Sequence, residues 1–188
     1  PLADGSVATI NSDSRLRVVL ASESRRVSLD RGQAWFQVAK DRTRPFVVDA
    51  GIAQARAVGT AFSVRRGGDG VQIAVTEGTV AVWASDASGA MTILQAGQYA
   101  DFRRSTAAPE VGTAPAQIER LLAWRNGEIA LENETLANAV AQFNRYNRQQ
   151  LVIVDPELGQ ERLVGLFKID RPGDFAAMLP HSLEVAVE

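Results

Sequence analysis

The chain has 188 residues, enough for one large core or two small ones, with the apolar and charged fractions of an ordinary globular protein. Lysine and arginine number 20 against 22 aspartate and glutamate, which argues against nucleic acid as the main partner, since phosphate binding needs a net basic face. Cysteine is absent, which excludes disulfides and thiolate metal sites.

The chain opens at Pro1 rather than Met, and Leu2-Ala3-Asp4-Gly5-Ser6 reads as the start of a hairpin. We therefore expect a piece of a longer protein. No apolar run approaches the ~20 residues of a membrane span, and no charged-then-apolar leader occurs. From Val7 to Phe102 only strand signals appear. Leu16, Val18 and Leu20 alternate, Val27 and Leu29 follow a polar break, Trp35 to Val38 follows Arg31-Gly32, and Phe46 to Val48 follows Pro45. Ala57 to Val82 carries the clearest period of two. Val58, Phe62 and Val64 share one face, then Val71, Ile73 and Val75, then Val80 and Val82. Gly67-Gly68-Asp69-Gly70 and Glu77-Gly78 supply the reversals, so the expected form is an antiparallel meander. A last pair is expected near Met91 to Leu94 and Gln98 to Phe102. Turn signals spaced by roughly 8–12 residues suit a β-sandwich or β-roll.

Ser105 to Ala116 is small, proline-containing and aperiodic, which suits a linker. Beyond it the pattern becomes α/β. Gln117 to Ala123 reads as a short helix and Gly127 to Leu131 as a strand. Leu136, Ala139, Val140 and Phe143 repeat at helical spacing behind Asn133 as N-cap, and Leu151 to Val154 reads as a buried strand. The unit then recurs. Gly165 to Ile169 is a strand, Asp170-Arg171-Pro172 opens a helix, Phe175, Met178 and Leu179 face inward, and Pro180 stops the helix before a final strand, Leu183 to Val187. The expected architecture is a mainly β domain over 1–104, a linker and short helix over 105–123, and a small βαβ-βαβ module over 124–188.

Candidate chemistry is sparse. His181, the one histidine, lies between Pro180 and Ser182 and reads as a turn residue; neither a G-x-S-x-G elbow nor cysteine is present to make it a catalytic base. Gly67-Gly68-Asp69-Gly70 begins like a calcium-binding repeat, but Gln72 stands where the aspartate belongs and the motif occurs once. Asn133-Glu134-Thr135 matches a glycosylation sequon and also a helix start. The arginine pairs Arg25-Arg26, Arg65-Arg66 and Arg103-Arg104 are scattered and read as solvated surface. Trp35, Trp83 and Trp124 neighbour apolar residues and read as packing rather than a sugar platform. No cofactor, metal site or catalytic group is expected.

Taken together these stretches resemble the FecR family of periplasmic signal-transducing regulators, the anti-sigma factor sensors. The matching residues are Leu2 to Ser6, Asn11 to Ser14, Arg26 to Ala39, Arg44 to Val48, Val58 to Arg65, Val75 to Val80 and Ala96 to Gln98. Trp124 to Ile129, Leu136 to Val140 and Phe143 to Tyr146 resemble that family's secretin/TonB short N-terminal-like module. The resemblance implies a periplasmic region. It would be preceded, in the intact protein, by a sigma-factor-binding cytoplasmic segment and one membrane helix, neither of them in this sequence. The implied partner is the signalling domain of a TonB-dependent outer-membrane transporter, commonly one for siderophores.

A contact sensor needs exposed recognition surface. The edge strands of the C-terminal module are the candidates: Leu183, Val185 and Val187 on one, Leu166, Phe167 and Lys168 on the other, with the β domain as spacer or second contact. Alternation alone does not separate a binding face from a buried one, so a core role for these residues stands beside that reading. The rivals from other classes are a carbohydrate- or cell-wall-binding β module and a glycan-processing enzyme with paired carboxylates ~5–10 Å apart.

Overall fold

The computed structural model describes residues 1–68, 70–86, 90–106 and 108–183, with backbone alone for 180–183. The chain divides into two compact units, residues 1–118 and 119–188.

The first unit is β throughout most of its length. Its strands are β1 (Val7–Ile10), β2 (Arg15–Leu20), β3 (Arg25–Gln37), β4 (Phe46–Asp49), β5 (Ala53–Ala57), β6 (Ala61–Gly67), β7 (Gly70–Glu77), β8 (Thr79–Ala84), β9 (Thr92–Gln95), β10 (Gln98–Arg103) and β11 (Glu110–Thr113). They form one curled sheet in the order β11-β10-β7-β6-β3-β4-β5-β8-β9, with β1 and β2 also paired to β3. The mainly β expectation is met, and β3–β4 is a parallel pair among antiparallel ones.

β3 makes the curl. Its first part pairs with β2 and β4, while Gly32 to Gln37 pairs with β6 and, from Ala34 on, with β1. Gly32 stands at the changeover with φ +85°, and a Cβ there would lie 2.6 Å from the Ser14 Cα. Only glycine takes both the left-handed backbone and the close approach without strain, so the strand bends there and serves two half-sheets. Half-sheet I holds β1, β6, β7, β10 and β11; half-sheet II holds β2, β4, β5, β8 and β9. Their inward residues alternate along each strand and enclose a single core that includes Val27, Leu29, Phe36, Phe46, Phe62, Ile73, Val82 and Leu94. The Phe36 ring sits 5.6 Å from Phe46 and 5.5 Å from Phe62.

A buried ion pair ties the N-terminal turn to this frame. Arg25 Nη1 donates to Asp4 Oδ2 at 2.9 Å, with side chains 1% and 3% exposed. The same guanidinium donates to the carbonyls of Arg44 and Ala39, and Asp4 also accepts from the Ser6 N–H and hydroxyl. Nearly every polar atom of the pair is thereby satisfied, which is what allows two charges inside.

Two expectations for this unit are corrected. The meander holds for β6 and β7 but not beyond: after Gly78 the chain crosses to half-sheet II, where β8 pairs with β5 and β9. Period two reports which face a side chain takes, not which strand lies alongside. The stretch taken as a linker contains β11, whose short ladder to β10 rests on backbone bonds that small residues make without an apolar pattern.

α1 (Pro115–Leu121) runs across the division between the units, and the second unit continues through a 3₁₀ turn at Ala123–Asn126 to β12 (Glu128–Thr135), α2 (Leu136–Tyr146), β13 (Arg162–Lys168) and α3 (Pro172–Leu183). β12 and β13 form an antiparallel two-stranded sheet. Its inner face shares with α2 and α3 a core of Ile129, Leu131, Leu136, Ala139, Phe143, Leu163, Phe175 and Leu179. Phe143 and Phe175 stack at 4.4 Å, and Phe167 meets Phe175 edge-on at 5.1 Å.

Here too the pattern overreached. Thr135, not Asn133, caps α2, its hydroxyl accepting from the Asn138 N–H at 3.3 Å. β12 runs longer than its apolar run, through a bulge where Asn133 adopts φ +52°. Leu151 to Val154 is not a strand: Leu151 and Ile153 pack inward, but the Asn144 side-chain amide, at 2.8 Å to both the Leu151 N–H and its carbonyl, takes the place of a neighbouring strand. The helix is not stopped at Pro180 and runs to Leu183, so Leu183 and His181 are helical rather than strand and turn. A proline removes one N–H bond and strains one turn, a loss the end of a helix absorbs. The remainder of the expected last strand, with Val185 and Val187, lies outside the described residues.

Candidate partner interface

The outer face of the β12–β13 sheet is built by the same alternation that builds the core. Leu163 and Phe167 turn inward, so Val164, Leu166 and Lys168 turn outward. Val164 is 76% and Leu166 61% exposed. Leu166 stands opposite Ala130, and Lys168 opposite Glu128, with the ammonium 2.8 Å from the carboxylate. At the other end Arg120 pairs with Glu132, and Arg162 donates to the Asn133 carbonyl at 2.6 Å. The result is an apolar stripe of two branched side chains between charged ends. Gly165, between them in sequence, faces inward, where the Phe167 ring occupies the place a Cβ would take, 2.6 Å away. Among the described residues β13 pairs along one side only. An edge that no described strand occupies, beside exposed valine and leucine, is what strand addition requires.

The expected site residues therefore separate. Leu166 and Lys168 are on the exposed face. Phe167 is half-buried and its ring belongs to the aromatic core, so its side chain serves packing. Leu183 lies in α3. Val164 was missed by sequence reasoning, although its spacing of two from Leu166 carried the signal.

The other candidates resolve locally. Trp35 is buried and its indole N–H donates to Thr76 Oγ1 at 3.2 Å, while Trp83 and Trp124 are half-buried. None of the three is an exposed stacking plate. The sequon threonine is spent on the α2 cap. Gly67 and Gly70 close the β6–β7 hairpin as partners, and Asp69 lies outside the described residues. Among the described residues no group of three or more His, Asp or Glu side chains converges to hold a metal ion, and no helix is long and apolar enough to cross a membrane.

Half-sheet I carries an open depression of about 260 Å³ lined by Arg65, Gln72, Asp101 and Arg103 among others. Asp101 stands opposite Glu110 on β11. Burial pushes the Asp101 carboxyl above its ordinary value, with a hydrogen bond to Gln72 working the other way and the Glu110 charge adding to the rise. This cross-strand acid pair meets the residue requirement of the glycan-processing reading. It lies on an open sheet surface without the enclosing walls a sugar-cleaving site uses to exclude water.

Residues 1–81 match the family model described as FecR protein. Two crystal structures of a candidate anti-sigma factor from Parabacteroides distasonis superpose on the chain with TM-scores of 0.76 and 0.75. Each is 19% identical to it, and each match covers 100% of this chain and 87% of the other. At that identity the likeness concerns the fold, which it extends over both units. No curated protein matches the sequence.

Proposed function

We propose that this chain, which belongs to the FecR family of anti-sigma regulators through its residues 1–81, is the periplasmic signal-receiving region of a membrane-anchored member. Its second unit docks the signalling domain of a TonB-dependent outer-membrane transporter, one that handles siderophores. The docked state is relayed to an extracytoplasmic-function sigma factor through a cytoplasmic segment outside this sequence. No bond is made or broken: the chain works by contact, without a cofactor.

The observation that carries this reading is the exposed Val164–Leu166 stripe beside the edge of β13 that no strand occupies among the described residues. These side chains give a partner apolar area to cover, and the edge offers backbone groups in a fixed register. Titration calorimetry of the chain against transporter signalling domains from the same genome tests it. Leu166→Asp sits on an exposed position and leaves the fold in place. We expect it to weaken binding at least roughly tenfold, the effect of placing a charge in an apolar contact. Parental affinity in that variant would remove the stripe from the interface.

A further inference from the structure

The outward face of half-sheet II carries a feature that the core does not use. The strand registers place Val19, Arg26, Val47, Arg56, Ala81 and Ile93 side by side in one row across β2, β3, β4, β5, β8 and β9. In the next row Trp83 stands opposite Gln54. Val19 is 63% and Ile93 57% exposed, and Met91, beside Arg56, is also exposed. Arg26 and Arg56 flank Val47, and neither forms an ion pair among the described residues; Arg56 Nη2 has only the Met91 sulfur at 3.7 Å. The other arginine of this face, Arg17, is satisfied by Asp30. Two strand spacings separate the flanking pair, about 10 Å.

We infer that this face is a second docking surface, built for an acidic protein segment that presents two carboxylates about 10 Å apart over an apolar residue seated on Val47. Arginine, methionine and tryptophan around the half-buried Val47 are the composition of a protein interface. Asp30 and Asp49 on the same face disfavour a polyanionic bilayer, whereas discrete carboxylates can align with the arginines and avoid them. The inference rests on the function proposed above, and the segment is assigned to the same signalling domain.

The test is calorimetric titration of the full chain with that domain at two salt concentrations, using R26Q/R56Q, R26K/R56K and Leu166→Asp. The arginines are exposed, so all variants keep the parental melting temperature. R26Q/R56Q is expected to weaken binding roughly tenfold and to flatten its salt dependence, as loss of two interfacial charges does, while R26K/R56K retains most of the affinity. Parental affinity and salt dependence in R26Q/R56Q, with Leu166→Asp weakened, would overturn this inference alone. Absence of binding by the parent would overturn the proposed function and this inference with it. Arginine-dependent sedimentation of the chain with phosphatidylglycerol vesicles, without an effect of R26Q/R56Q on the domain titration, would assign the face to the membrane instead.

Discussion

Removing the Asp4 carboxylate tests how the N-terminal turn is held. Asp4→Asn keeps the shape of the side chain and leaves the Arg25 guanidinium charged and 1% exposed, facing carbonyls that satisfy its N–H groups but not its charge. Breaking one side of a buried pair costs about 3–5 kcal/mol, a large part of the ~5–15 kcal/mol that holds a domain together. For a unit of this size that is a fall in melting temperature of roughly 10–20 °C, readable by circular dichroism or calorimetry. The exposed Arg17–Asp30 pair supplies the control, since Asp30→Asn should cost less than about 1 kcal/mol. Replacing both buried partners with apolar residues, D4L/R25M, should cost far less than Asp4→Asn, because no charge is then stranded. The pH dependence has a definite sign. Burial works to raise the Asp4 carboxyl, but the hydrogen bonds from Ser6 and Arg25 outweigh it and hold the group below its ordinary value. The folded state therefore binds this proton less readily than the unfolded chain. The stabilisation is complete above the ordinary carboxylate value, about 3.9, and is lost as pH falls through the lower folded value. If Asp4→Asn melts within a degree or two of the parent, the charge pair is not what fastens the turn.

Gly32→Ala should destabilise the first unit by about 2 kcal/mol or more, from the left-handed backbone and the collision with Ser14, measured by denaturant midpoint; a neutral effect would mean the bend is not required. Asp101→Asn should raise stability at neutral pH. The carboxyl is pushed up by burial, so the fold favours its protonated form and loses stability as pH rises through the window above about 3.9. The gain should vanish below that value, and a gain that grows on acidification would contradict the assignment.

The first unit was legible wherever a strand buries one face, because Phe62, Val64, Val71, Ile73, Val80 and Val82 announce their side of the sheet by spacing alone. Pairing was not legible. Gly78 reads as a hairpin turn yet carries the chain between half-sheets, and Gly32 reads as a break yet lies inside a strand of 13 residues. In the second unit Leu151 to Val154 is a continuous apolar run like that of a buried strand, and only the Asn144 amide beside it shows that no ladder forms there. The interface was half-legible for the same reason. Leu166 and Lys168 follow from alternation, Phe167 falls inward by the same rule, and Arg26, Val47 and Arg56 are brought together by strand order that local sequence does not encode.

Hydrogen exchange of the chain, alone and saturated with the transporter signalling domain, tests most directly whether touch alone carries the signal. The proposed function predicts slowed exchange at Arg162 to Lys168, on the strand whose outer edge a partner would extend, with nothing comparable in the depression around Asp101. Unchanged exchange along that strand in a saturated complex would contradict it.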